Sequence, residues 1–126
     1  MDIHGLMAYH PDPAKLTQLA DALRSGQYEQ MMGGLRSRRP GDGVVCHCLL
    51  GVVVDLFAPE RWDEPRTDSI LGPDYELAAQ LLGVDDDPAG NFGALFVEAN
   101  DGDEQSFASV AEDLDKAVAL IKASAA

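Results

Sequence analysis

Apolar residues fall on a helical rhythm in two stretches of this chain. Leu16, Leu19, Ala20 and Leu23 recur at three- and four-residue spacing between Asp12-Pro13 and Gly26. Asp12 is suited to accept hydrogen bonds from the free amides of a first turn, and Pro13 stands where a missing N–H costs nothing. The pattern predicts a helix over 13–25. Phe107, Val110, Ala111, Leu114, Val118 and Ile121 form a second stripe behind Ser106, and predict a terminal helix capped by that serine.

The chain between them is less regular. Residues 33–43 are rich in turn formers and predict a hairpin, with Met31 to Arg36 pairing against Val44 to His47. From Cys48 to Ala58 the chain is apolar apart from Asp55. Val52-Val53-Val54 leans towards a strand, while the length and the stop at Pro59 suit a buried helix, and periodicity does not decide between them. A short strand at Val44-Val45 leading into a central helix is the reading adopted. Residues 60–71 read as a loop around Trp62, and Asp74 as the cap of a helix over 75–82 that Gly83 ends. Asp85 to Gly90 reads as a turn, and Gly93 to Glu98 as a short extended segment. The predicted fold is α+β and helix-dominated, three or four helices with a small hairpin or sheet. It forms a single domain over 1–126, with 1–11 as a loosely attached N-terminal segment.

Composition supports one core. The chain has 126 residues, 46% of them hydrophobic, enough to bury roughly two-thirds of its unfolded surface. Charge changes the picture more. There are 22 acidic side chains against 9 basic ones, a net charge of -13. Residues 1–59 carry six acids and five bases, whereas 60–115 carry sixteen acids against Arg61 and Arg66 alone. Such a balance repels phosphate backbones and anionic lipid, so neither nucleic acid nor a membrane is expected as a direct partner. Asp85, Asp86, Asp87, Asp103, Glu104, Glu112 and Asp113 are the candidates for an acidic surface that meets a basic protein partner; a merely solvated face is the plainer alternative.

No apolar run approaches the ~20 residues of a membrane-spanning helix. Met1-Asp2-Ile3-His4 lacks the basic start and apolar stretch of a secretory signal. Cys46 and Cys48 are the two cysteines, too close in sequence for an unstrained bridge. Reduced thiols and a cytoplasmic location are expected.

Cys46-His47-Cys48 is the most chemical-looking string. A closed zinc site needs four ligands, and an extended segment turns neighbouring side chains to opposite faces. No metal or other cofactor is expected. Cys48 with His47 as base lacks a third, orienting group, so no catalytic residue is assigned. Asp101, Asp103 and Glu112 match three positions of a calcium loop, but Ser106 stands where that loop needs glycine. Asp55, the one charge in its apolar run, is expected either on an exposed edge or paired with Arg24 or Arg36. Arg36, Arg38 and Arg39 form the one basic patch. Three arginines on a turn could hold phosphate, but no aromatics are interleaved with them and no Gly-rich loop leads into a helix; pairing with the protein's own acidic half is the alternative.

Three segments together resemble a known family. Ala22-Leu23-Arg24-Ser25-Gly26-Gln27-Tyr28-Glu29-Gln30 with Gly33-Gly34-Leu35 is the first. Cys48-Leu49-Leu50-Gly51-Val52-Val53-Val54-Asp55-Leu56 is the second. Asn100-Asp101 with Ser106-Phe107 and Val110-Ala111 is the third. Their order is similar to that in a family of small proteins common in bacteriophages, especially those of actinobacteria, and in genomes carrying prophages. The resemblance covers residues 20–115. Leu49 stands where the family usually has the second of two cysteines, and Val54 where it has a later one.

The resemblance implies a phage accessory protein and no mechanism. Together with the charge asymmetry and the lack of a catalytic set, it leads to the expectation of an interaction protein that binds a host protein in the host cytoplasm through an acidic surface. Such binding would inhibit a host enzyme or defence system, or mimic the charge of DNA. The alternative is a small-ligand module or small enzyme with a pocket at Tyr28, Gln30, Cys48, Asn100 and Asp101. These are the polar or reactive side chains of the shared segments. The two expectations differ spatially: a pocket requires the five to converge on one cavity, and an interaction protein does not.

Overall fold

A computed structural model describes residues 1–63, 72–85, 87 and 89–125. Among them are six α-helices and three strands. In chain order these are α1 (Ile3–Met7), α2 (Pro13–Arg24), β1 (Glu29–Gln30), β2 (Arg36–Arg38), β3 (Val45–His47), α3 (Leu49–Phe57), α4 (Gly72–Leu81), α5 (Asn91–Val97) and α6 (Phe107–Ala125). A 3-10 helix at Pro59–Asp63 follows α3, and a π-helical turn at Glu98–Gly102 extends α5. The fold is α+β and helix-dominated, with more helices than the sequence pattern predicts.

The two periodic stripes behave as their spacing dictates. The Asp12 side chain accepts from the Ala14 amide at 2.9 Å, and Leu16, Leu19, Ala20 and Leu23 of α2 are buried. Ser106 Oγ accepts from the Ser109 amide at 3.2 Å, and Phe107, Val110, Ala111, Leu114 and Val118 of α6 are buried. α2 and α6 lie against one another and make the most extensive helix–helix contact of the fold. The Arg24 guanidinium ties them at the surface through both oxygens of Asp115, each at 2.8 Å.

Residues 44–58 resolve as strand then helix. β3 ends at His47, Cys48 is the N-cap with its sulfur accepting from the Gly51 amide at 3.3 Å, and α3 runs to Phe57. Leu49 to Val54 are all buried, so the β-branched valines serve a helix covered on most sides, where packing outweighs propensity. The sheet has order β1-β3-β2. β1 pairs parallel with β3 (Glu29↔Cys46, Gln30↔His47) and β2 antiparallel (Arg36↔His47, Ser37↔Cys46, Arg38↔Val45). The hairpin is therefore present, but its first strand starts at Arg36 and not Met31. Gly33 has φ +78°, a left-handed conformation that breaks an extended run, and Leu35 is fully buried just before β2.

Two further expectations are corrected. Gly93 to Glu98 is helical, not extended. Phe92 and Phe96 sit one turn apart on the buried side of α5, their rings 5.3 Å apart. Gly93 is required because an added Cβ would lie 2.6 Å from the Tyr75 carbonyl oxygen on α4. Residues 1–11 also carry structure: Leu6 of α1 is fully buried, and α1 packs on α5 and α6. Of the loop expected over 60–71, residues 60–63 belong to the 3-10 helix and the remainder lies outside the described residues. No helix among the described residues is long and apolar enough to cross a membrane.

Candidate functional site

The five residues singled out for a pocket separate into two groups. Gln30 on β1 and Asn100 on the π-turn meet directly, with Gln30 Nε2 donating to Asn100 Oδ1 at 2.9 Å. Gln30 Nε2 also donates to the Gln105 carbonyl at 2.7 Å, and its Oε1 accepts from the Phe107 amide at 3.1 Å. Asn100 Oδ1 accepts from the Leu49 amide at 3.1 Å, and its Nδ2 donates to the Met31 carbonyl at 2.8 Å and to Asp101 Oδ1 at 2.7 Å. Asp101 Oδ1 further accepts from the Gly33 amide at 3.3 Å.

These bonds form a latch. Two amide side chains satisfy the first turns of α3 and α6, whose N-terminal N–H groups have no partner within their own helices. The same amides anchor the chain leaving β1. Asn100 is 1% exposed. It reaches this position because the π-turn is closed by the Asp103 amide bonding the Glu98 carbonyl, five residues back, at 2.8 Å. Its polar atoms are bonded to protein, so the turn that carries it serves architecture.

Cys48 adjoins the latch through Leu49, the next residue. Its side chain is 1% exposed and its thiol is pushed up to about 11, chiefly by burial. A thiol held protonated and out of solvent is a poor nucleophile. Cys46 is also a free, buried cysteine. Among the described residues no three His, Cys, Asp or Glu side chains gather with metal-binding geometry.

Tyr28 belongs to the second group, which sequence reasoning did not assemble. Its hydroxyl donates to Asp55 Oδ2 on α3 at 2.6 Å, and Trp62 Nε1 on the 3-10 helix donates to Asp55 Oδ1 at 2.9 Å. Asp55 is thus held by two neutral donors, not by Arg24 or Arg36. Arg24 is engaged by Asp115, and Arg36 lies over the Trp62 ring at 4.1 Å. Burial first, then the bond to Asp55, holds the Tyr28 hydroxyl well above the usual phenol range.

His47 packs between the two rings, edge-on to Tyr28 at 5.1 Å and to Trp62 at 6.1 Å. It is 7% exposed, and neither ring nitrogen has a hydrogen-bond partner. Its Nε2 stops 3.9 Å from Asp55 Oδ1. Burial and the Arg36 charge hold this imidazole below its ordinary value, against the opposing pull of Asp55. The signal in the sequence was the lone Asp55 in an apolar helix, but its neighbours come from three separate places, the residue before β1, the end of β3 and the 3-10 helix, and have no shared spacing.

The acidic candidates also divide. Asp85, Asp103, Glu104 and Glu112 are exposed. Asp113 is partly covered, accepting from Gln105 Nε2 at 2.6 Å and from the Met1 ammonium at 3.1 Å. Burial alone would raise its carboxyl, but these two donors outweigh that and hold it low. Asp87 is a correction. It is buried, and both its oxygens accept from the Phe92 amide, at 3.0 and 3.1 Å. α5 begins behind Gly90, which offers no side-chain cap, so Asp87 supplies the negative acceptor that the helix start favours. Asp86 lies outside the described residues. Glu98, not anticipated, is exposed beside Asp103 and Glu104 at the start of the π-turn.

Two clefts among the described residues lie elsewhere. One of about 560 Å³ is lined by Ile3, His4, Lys116 and Leu120, and one of about 440 Å³ by Met7, His10 and Ile121. Neither is lined by any of the five candidate ligand residues. The fold and its latch define a small acidic α+β domain. The chain matches no protein-family model, and no curated protein or solved structure is similar to it.

Proposed function

We propose that this protein is a phage accessory factor that acts by binding a host protein through its acidic surface, inhibiting that target or occupying a site meant for another polyanion. The observation that carries the reading is how the polar side chains are spent. Gln30, Asn100 and Asp101 bond to each other and to backbone, and Cys48 is buried and protonated. The shared segments then serve to hold the fold. Among the exposed carboxylates, Glu98, Asp103, Glu104 and Glu112 fall close in sequence, from the π-turn through the loop after it to the early part of α6.

A rigid turn carrying several uncompensated negative charges suits a basic partner. Its field speeds encounter and orients docking, and the attraction is screened beyond a Debye length of roughly 8 Å at physiological salt. Asn100 ties the backbone of this turn to Gln30 of β1 and to the first turn of α3, so little backbone ordering is needed on binding. The resemblance to small bacteriophage proteins supplies the setting.

Capture of a partner from actinobacterial host lysate on the immobilised protein, washed at rising salt, tests the reading. A single protein retained near stoichiometric amounts and released by salt is expected. A retained protein indifferent to salt contradicts it.

A further inference from the structure

The basic patch behaves differently from what its sequence suggests. Arg39 alone pairs within the patch: its guanidinium closes on Asp42 at 2.6 Å, and that pairing holds the Asp42 carboxyl at about 2. Among the described residues, Arg36 and Arg38 form no ion pair, in a chain with 22 carboxylate side chains. Their guanidiniums are held by other means. Arg36 stacks over the Trp62 ring at 4.1 Å, and Arg38 Nη1 donates to the Gly43 carbonyl at 3.0 Å. Arg36 is held by a ring and the exposed Arg38 by one hydrogen bond, and both keep N–H groups to spare, since a guanidinium carries five.

Register places them together. Arg36 is the cross-strand partner of His47 and Arg38 that of Val45. Directly paired residues share a face and alternate residues return to it, so Arg36, Arg38, Val45 and His47 lie on one side of the sheet. A polar cleft of about 200 Å³ opens there, lined by Arg36, Ser37, Arg38 and Val45. On the same face His47 is more than nine-tenths buried with both ring nitrogens unbonded. The Arg36 charge reaches that imidazole, although His47 is not among the residues that line the cleft.

We propose that this cleft binds an oxyanion group, the phosphate or carboxylate of a small molecule or side chain, held between the guanidiniums of Arg36 and Arg38. Two arginines without an ion pair, both lining one polar cleft, suit an oxyanion, and such charge-assisted bonds are stronger than neutral ones. The volume is below the roughly 300 Å³ at which pockets enclose a whole drug-sized ligand, so the cleft takes a single end group. The nearest carboxylates are already engaged, Asp42 by Arg39 and Asp55 by Tyr28 and Trp62, and those beyond a Debye length of roughly 8 Å are screened. The site uses β2 and β3 and has the opposite sign to the acidic turn, so it stands or falls independently of the function proposed above.

The test is an NMR titration of the nitrogen-15-labelled protein with sodium phosphate, with sodium acetate, and with sodium chloride at matched ionic strength. The amides of Arg36, Ser37, Arg38 and Val45 and the arginine Nε–H signals are followed. Saturable shifts confined to these residues are expected with phosphate or acetate, and the tighter of the two identifies the anion class. R38Q, which leaves the Arg36–Trp62 stack in place, is expected to weaken binding by at least about tenfold with the rest of the spectrum unchanged. The proposal is overturned if neither anion saturates, if chloride reproduces the shifts, or if R38Q binds as the wild type does.

Discussion

Gln30 and Asn100, seventy residues apart in the chain, share a 2.9 Å hydrogen bond that joins the small sheet to the helical layer. Around it, each amide group makes further bonds to backbone, so the two side chains together tie β1, α3, the π-turn and α6. Asn100→Ala would leave the Leu49 amide and the Met31 carbonyl without partners in a buried setting. The expected loss is about 3 kcal/mol of unfolding free energy, since each orphaned buried group costs about 1–3 kcal/mol. Urea denaturation of the variant checks this, and a loss below about 0.5 kcal/mol would mean that water replaces the latch.

Gly51 is the second point at which the fold admits no alternative. A Cβ there would sit 1.9 Å from the Leu35 carbonyl oxygen, an unyielding backbone atom. Gly51→Ala gains helix propensity of about 1 kcal/mol but must push α3 away from the strand entry. The net expected effect is a loss of about 2 kcal/mol or more, as for an overpacked core. A thermal melt of the variant decides it; a raised midpoint would show that the approach of α3 to Leu35 is looser than described.

The thiols give a direct chemical test. Cys48 is buried with its thiol at about 11, and Cys46 is 6% exposed. At neutral pH almost no thiolate is present at Cys48, and the sulfur is out of reach of reagents. A disulfide-exchange reagent is expected to modify it only as fast as the protein opens, with full reaction on adding denaturant. Prompt stoichiometric labelling of the native protein at Cys48 would contradict the inert assignment.

His47 couples stability to pH. The ordinary imidazole value is 6.5, and burial together with Arg36 lowers it in the folded protein. Below 6.5 the unfolded chain takes up a proton that the folded imidazole resists, so the unfolded state gains. The contribution is fully present above the unfolded value and is lost as pH falls towards the folded one. Of the titratable neighbours, Asp55 pulls against this shift and Arg36 reinforces it, while Tyr28 faces the ring as a neutral phenol. His47→Phe keeps an aromatic ring between Tyr28 and Trp62 and removes two unbonded nitrogens. It is expected to lose less stability than the wild type between pH 7.5 and 5.5, as followed by denaturant midpoints. Equal losses in the two proteins would remove His47 from the pH response.

Much of the helical frame was legible. α2 and α6 announce themselves by caps and stripes, because a long amphipathic helix repeats its signal over several turns. α5 was not, since Gly93 lowers helix propensity and yet is demanded by the Tyr75 backbone opposite it, a tertiary reason that no local pattern carries. The candidate site was half legible. Gln30, Asn100 and Asp101 do converge, but as a bonded latch and not a pocket. Asp87 looked like part of an exposed acidic run until α5 gave it an amide to cap. The Tyr28–His47–Asp55–Trp62 cluster joins β3, α3 and neighbouring turns, and sequence spacing holds no trace of such long-range meetings.

The central claim, that the acidic turn engages a basic host protein, is tested most directly by capture with two baits from the same host lysate. One bait is the wild type; the other carries Asp103→Asn, Glu104→Gln and Glu112→Gln, exposed positions whose neutralisation leaves the core untouched. The expected result is one host protein held near stoichiometric amounts by the wild type at low salt, released at high salt and absent from the neutralised bait. Retention of the same protein by both baits, or by neither, would contradict the acidic-surface mechanism.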